Sequence, residues 1–321
     1  MRQLSPRSYA RAGILALTLV SLALSSSLFA QDNKRTAASP SGPTVELSLI
    51  VTNSAKKSLD KINKEDVHVF EDKDEQTVLS VERDERPIDC LVAIDSSGSF
   101  RSLFVTALEA AKLVVMNRRS EDEIMIERFI SSDKIQSVIK FTRDEKALVA
   151  ALDMLYVERG QSAVIDAVYV AAKTFADLNK TGKDRRRVIV IITDGEDRNS
   201  YYKQDALVKV LRQSDVQIFA LGFVTELDRD PRFARPDARS RAEKLLQTIT
   251  AETGGRVFFP RDKTELLDSM QQIITDLRGQ FRLTYQSSNG EKKGFRKVEV
   301  KLVSPAGEKW NAIVPRGYES R

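Results

Sequence analysis

Val188-Ile189-Val190-Ile191-Ile192-Thr193-Asp194-Gly195 carries the most architectural information in this chain. Five apolar β-branched residues follow one another without polar alternation. That is the pattern of a strand buried on both faces, at the centre of a parallel sheet with helices on each side. An Asp-Gly turn ends it. Around it, runs of strand length at 88–95, 123–129, 135–141, 187–193, 216–223 and 256–259 alternate with amphipathic segments at 103–118, 145–155, 163–178, 204–213, 239–253 and 264–277. The alternation predicts an α/β domain over residues 88–280, a doubly wound, mostly parallel sheet.

The periodicity changes to β on both sides of this block. Val45, Leu47, Leu49 and Val51 alternate with other residues, and Val67 to Phe70 and Thr77 to Val81 are short runs about a polar turn at 71–75. After Arg278-Gly279, strands are expected at 281–286, 295–303 and 308–314, separated by Ser287-Ser288-Asn289-Gly290 and Ser304-Pro305-Ala306-Gly307. Neither flank is long enough to bury a core of its own. Residues 44–87 and 281–321 are therefore expected to pack together as a small discontinuous β-sandwich into which the α/β domain is inserted.

The first thirty residues belong to a different class. Arg2, Arg7 and Arg11 precede an apolar run from Gly13 to Leu24, followed by Ser25-Ser26-Ser27-Leu28-Phe29-Ala30, the layout of a secretory signal. Cleavage after Ala30 is expected, giving an exported protein, periplasmic or secreted, with no stable membrane insertion. An uncleaved anchor is the competing reading, since Gly13 to Ala30 is just long enough to span a bilayer. Residues 31–43 are polar and rich in turn formers, as in a flexible linker.

Of the 321 residues, 41% are hydrophobic and 30% charged, which excludes a disordered or fibrous chain. The formal charge of +5 falls to +2 without the three arginines of residues 1–30, so basicity gives no ground for nucleic-acid binding. The single Cys90, inside an apolar run, reads as a buried structural thiol. With one histidine, His68, neither a His-rich zinc site nor a His-based triad is expected.

Chemistry gathers where strands end. The run ending at Ile94 continues Asp95-Ser96-Ser97-Gly98-Ser99, which offers one carboxylate and two hydroxyls at alternate positions. In an open parallel sheet the ligand crevice lies beyond the carboxyl ends of the strands, where Asp194 also emerges. The loop Gly160-Gln161-Ser162 precedes a helix and can bring a third hydroxyl alongside. Two carboxylates balance a divalent cation, and Mg²⁺ seeks six oxygens while commonly leaving a place for a substrate or partner oxygen.

These residues resemble the von Willebrand factor A (VWFA) family and its metal-ion-dependent adhesion site (MIDAS). Asp95, Ser97 and Ser99 meet the D-x-S-x-S pattern and Thr193-Asp194-Gly195 the T-D-G signature. The segments 45–83 and 251–256 and the end Pro315-Arg316-Gly317-Tyr318 are similar to a bacterial VWFA-related group common in Acidobacteria. The resemblance implies a VWA/Rossmann-like fold and metal ligation by Asp95, Ser97, Ser99, Ser162 and Asp194. Ser162 stands at the family's usual threonine, keeping the oxygen and losing the methyl that restricts the rotamer. Mg²⁺ is the expected ion, with Mn²⁺ and Ca²⁺ as alternatives, and the expected partner is a protein presenting an acidic residue.

Competing readings exist for each feature. Asp95, Ser97 and Ser99 also suit a turn capping the next helix. Asp166 reads as a capping or supporting residue, and Glu196 and Asp197 read as rim acidity. The loop 228–241 reads as solvated, with arginines able to steer an acidic partner. Ser54-Ala55-Lys56-Lys57, Ser131-Ser132-Asp133-Lys134 and Lys180-Thr181-Gly182 superficially match penicillin-recognising hydrolases, but no S-D-N accompanies them. The expectation is a non-enzymatic binding module for adhesion. A structural envelope protein is the first alternative, and a metal-assisted hydrolase with Glu196 as base is the second.

Overall fold

Three strands lead into the fold, β1 (Thr44–Thr52), β2 (Val67–Glu71) and β3 (Asp74–Arg83). The α/β block follows with β4 (Ile88–Asp95), α1 (Phe104–Met116), β5 (Glu123–Ser131), β6 (Lys134–Thr142), α2 (Glu145–Asp153), α3 (Val164–Leu178), β7 (Arg186–Thr193), α4 (Gln204–Ser214), β8 (Val216–Gly222), α5 (Ala238–Glu252), β9 (Val257–Phe258) and α6 (Lys263–Gly279). Strands β10 (Phe281–Gln286), β11 (Gly294–Leu302), β12 (Asn311–Ile313) and β13 (Gly317–Ser320) complete the sequence. The structure is a computed structural model and describes residues 42–178, 184–225, 227, 237–290 and 293–320. The proposed signal, nearly all of the linker, Lys180-Thr181-Gly182 and most of the loop 228–241 lie outside the described residues.

The α/β sheet has the order β6-β5-β4-β7-β8-β9. Four of its five pairings are parallel, and β5 with β6 is antiparallel. Ser131 pairs with Lys134, so the connection is a tight hairpin, too short for the crossover a parallel pair needs. Helices cover both faces, as the apolar run of β7 predicts. Val188, Val190 and Ile192 pack with α1, α2 and α6, while Ile189 and Ile191 pack with α3, α4 and α5. The chain leaves β4 towards β5 on one side and returns to β7 on the other, which puts the topological switch point between β4 and β7.

The two flanks make one curled antiparallel sheet of order β12-β1-β10-β3-β2-β11-β13. Thr44 pairs with Gln286 and Leu49 with Phe281, so strands from both ends of the described chain are interleaved in it. Leu47, Leu49, Val69, Leu283 and Tyr285 point into its core. Two details differ from the sequence reading. Of 308–314 only Asn311–Ile313 forms a strand, because its partner on β1 is limited to Ile50–Thr52. Beyond the expected strands, β13 forms by pairing Gly317 to Ser320 with β11, an interaction that local sequence pattern does not reveal.

Inside this sheet Glu71 is fully buried and accepts four hydrogen bonds, from Tyr285 Oη at 2.8 Å, Ser287 Oγ at 2.9 Å, Asn289 Nδ2 at 2.8 Å and Tyr318 Oη at 3.0 Å. One carboxylate thus ties β2 to β10, to the turn after it and to β13. Glu71→Gln keeps the shape but removes the charge that strengthens these bonds, and is expected to lower stability by about 1–2 kcal/mol. A urea midpoint equal to that of the parent protein would contradict this.

Candidate metal centre

The fold brings three loops to the switch point. Asp95 ends β4, and the turn after it runs into a single 3-10 turn, Gly98–Phe100, whose ring Phe100 is fully buried against Phe223 at 5.6 Å. The Asp95 carboxylate organises the cluster. Its Oδ1 accepts from the Ser97 N–H at 3.0 Å, and its Oδ2 accepts from Ser162 Oγ at 2.9 Å and Thr193 Oγ1 at 2.7 Å. Ser97 Oγ and Ser99 Oγ are 3.2 Å apart, and the Ser99 hydroxyl bonds Asp194. All five residues expected from the sequence therefore belong to one hydrogen-bonded group.

The T-D-G turn has its own geometry. Thr193 Oγ1 accepts from the Gly195 N–H at 3.0 Å, and Asp194 Oδ1 accepts from the Glu196 N–H at 3.0 Å. Gly195 has φ +78, a left-handed backbone that favours glycine, and a Cβ there would crowd Leu246 Cδ1 at 2.9 Å. Thr193, read from the sequence only as part of the T-D-G signature, is hydrogen-bonded to Asp95 and belongs to the same cluster. Its signal was present, since it is the one polar residue completing the apolar run of β7.

Burial sets the electrostatics. Asp95 is 0% and Asp194 1% exposed, and desolvation raises the carboxyl pKa of each. For Asp194 the nearby Asp95 charge adds to desolvation, and together they push it up to about 7. Two buried carboxylates that repel each other, surrounded by hydroxyl oxygens, suit a hard divalent cation that would neutralise both. Among the described residues no group of three or more His, Cys, Asp or Glu is placed to hold a metal; the candidate cluster here offers two carboxylates plus hydroxyls.

The supporting acids correct the sequence reading of rim acidity. Glu196 is only 5% exposed and pairs with Arg198. Asp197 accepts from the Ile165 N–H at 3.1 Å and from Ser200 Oγ at 2.5 Å, while Ser200 Oγ accepts from the Asp166 N–H at 3.1 Å. The free N–H groups opening α3 are thus satisfied from the loop after β7. Asp166 returns the interaction, accepting from the N–H groups of Tyr201 at 2.7 Å and Tyr202 at 2.9 Å. The two loops that present Ser162 and Asp194 are locked together by this exchange. Of the hydrolase-like motifs, Ser131 donates to Asp133 at 2.6 Å and Lys134 pairs with Glu158, so no serine-lysine pair forms there.

An open α/β sheet with an all-oxygen cluster at its switch point defines a class of metal-linked interaction domain. Family comparison matches residues 89–273, more than half of the chain, to the von Willebrand factor type A domain, and the chain belongs to that family. Members of the family are interaction modules built about a divalent-metal site. No curated protein matches the chain. Similar folds occur in an aerotolerance-related membrane protein from Bacteroides fragilis with multiple mutations to serines (21% identity, TM-score 0.43, covering 59% of this chain and 98% of that one). Others are the conserved hypothetical protein BatB from Bacteroides thetaiotaomicron (17%, 0.45, 59% and 98%) and proximal thread matrix protein 1 from the mussel byssus with a zinc-occupied MIDAS motif (18%, 0.44, 63% and 48%). No helix among the described residues is long and apolar enough to cross a membrane.

Proposed function

We propose that this protein is an exported binding module in which Mg²⁺, held by Asp95, Ser97, Ser99, Ser162 and Asp194, captures an acidic side chain of a partner protein. The observation that carries the reading is the convergence of three loops on Asp95, which accepts from both Ser162 and Thr193, with Ser99 on Asp194 beside it. When bound, the cation supplies the positive charge that a partner carboxylate coordinates. The chain's own part is to hold the oxygens in place. Thr193 and Ser162 fix the orientation of Asp95, and Gly195 sets the turn that aims Asp194. Export rests on residues 1–30, and Mn²⁺ or Ca²⁺ fits the same oxygen donors.

A calorimetric comparison with and without Mg²⁺ tests the site. At a free ion concentration 100 times its dissociation constant, stability is expected to rise by about 2.7 kcal/mol, and EDTA should reverse the gain. Asp194→Ala should abolish the response while leaving the metal-free midpoint equal or higher, because it removes a buried carboxyl repelled by Asp95. An undiminished Mg²⁺ response in Asp194→Ala overturns the assignment. Partner capture that survives EDTA would favour the second reading, a structural envelope protein whose ion only stabilises the fold. A hydrolytic role is disfavoured by the pairing of Glu196, the acid nearest to serving as a general base, with Arg198.

A further inference from the structure

We propose that the metal face takes an acidic cluster of a partner protein, one carboxylate reaching the cation while neighbouring acids meet the guanidinium groups of Arg101 and Arg159. The inference rests on the metal-anchored reading above and extends it to the partner's sequence. Arg101 caps the 3-10 turn that carries Ser99. Arg159 sits between Glu158, whose N–H donates to the Ser96 carbonyl at 2.9 Å, and Gly160, whose carbonyl oxygen lies 3.9 Å from where a Cβ on Gly98 would stand. Both arginines are therefore tied by their backbones to the Asp95–Ser99 loop. Both are exposed, and neither has an ion-pair partner among the described residues.

The acids of the same loops are already engaged. Glu158 pairs with Arg128 at 3.3 Å and with Lys134, and Glu196 with Arg198. Asp166 and Asp197 are committed to backbone N–H groups, and Asp95 and Asp194 would be balanced by a dication. The charge left over is positive, with exposed Lys203 at the start of α4 adding to it. Such a rim attracts more than one carboxylate.

Two exposed aromatic side chains lie on the same loops, Tyr156 before Ser162 and Tyr201 after Asp194. Tyr201 is 80% exposed yet held edge-on to Tyr202, with centroids 5.2 Å apart, and Tyr202 stacks on Tyr169 at 3.7 Å. Tyr156 is 57% exposed, with the Arg128 guanidinium 4.7 Å from its ring centroid. Exposed tyrosines on the loops that also carry Arg159 and Lys203 give this face the composition of a binding hot spot.

The test uses two labelled peptides of equal length in a Gly-Ser background, one with a single Asp and one with that Asp flanked by two Glu on each side. Each is titrated by fluorescence anisotropy with the full-length protein and Mg²⁺ at low salt. The clustered peptide is expected to bind about 10-fold tighter. The difference should vanish in Arg101→Ala/Arg159→Ala, with the clustered peptide losing about 10-fold more affinity than the single-Asp peptide, and shrink in about 0.5 M salt. Equal affinities, or a preference that survives the double substitution, overturn the acidic-cluster inference and leave the metal anchor standing. A preference that persists in EDTA and in Asp95→Asn keeps the arginine rim and overturns the anchor. Absence of binding by either peptide overturns both, and tighter binding of a sulfated oligosaccharide than of the clustered peptide overturns the assignment to a protein segment.

Discussion

Asp276→Ala is expected to destabilise the protein by about 3–5 kcal/mol. Asp276, on α6, is fully buried and accepts from Arg256 Nη1 at 2.7 Å, from Gln272 Nε2 at 2.8 Å and from Ser58 Oγ. Ser58 lies in the segment after β1, so this carboxylate joins the last helix of the α/β block to the flanking sheet. Removing it leaves the Arg256 guanidinium, whose side chain is only 12% exposed, with a 3.3 Å contact to the Lys56 carbonyl and the Phe258 ring 4.8 Å away. An uncompensated buried charge is what makes the loss large, rather than the strength of the pair itself. The double variant Arg256→Leu/Asp276→Leu should therefore recover most of the stability. Urea denaturation checks both, and a single-variant loss below about 1 kcal/mol would sink the argument.

Glu127→Gln is expected to change the pH dependence of stability by a comparable amount. Glu127 on β5 is 2% exposed, its Oε1 has no hydrogen-bond partner, and burial alone pushes its carboxyl up to about 8. It shares the sheet face of Met125 and Phe129, with Ala93 and Ser137 beside it in register. The folded-state pKa is raised above the ordinary carboxyl value, so folding favours the protonated form. Between about pH 4.5 and pH 8 the unfolded chain ionises while the folded chain does not, and stability falls as pH rises through that window. Glutamine imitates the neutral acid and cannot ionise. The variant should match the parent near pH 4.5 and exceed it by on the order of 4 kcal/mol at pH 8. Parallel stability profiles across this range would show that Glu127 finds a partner or water that compensates its charge.

The extent of the sequence's information differs from residue to residue. The α/β order, the strand Val188 to Ile192 and the loop Asp95 to Ser99 were readable because each is a local pattern, apolar periodicity or alternating oxygens within a few positions. Asp197 was misread as rim acidity because its partner, the Ile165 N–H, is 32 residues away in sequence. Thr193 was read only as part of its local T-D-G signature and its bond to Asp95 was not, since Asp95 lies 98 residues earlier. The strand β13 depends on the free edge of β11, and no property of Gly317 to Ser320 announces that edge.

Residue order therefore specified the kind of sheet, the place where its loops would emerge and the oxygen-rich residues in them. Whether those oxygens met, and with what charge, was set by folding. Parallel pairing of β4 with β7 brings Ile94 opposite Ile192, and so carries Asp95 and Thr193 to the same edge of the sheet. The helices packed on both faces then exclude water, which raises the carboxyl pKa of Asp95 and Asp194 and creates the need for a cation. The loop Asp95-Ser96-Ser97-Gly98-Ser99 supplies the oxygens, and its burial against two other loops gives it the electrostatics of the metal site proposed above, because desolvation and charge repulsion act only when distant residues are brought into contact.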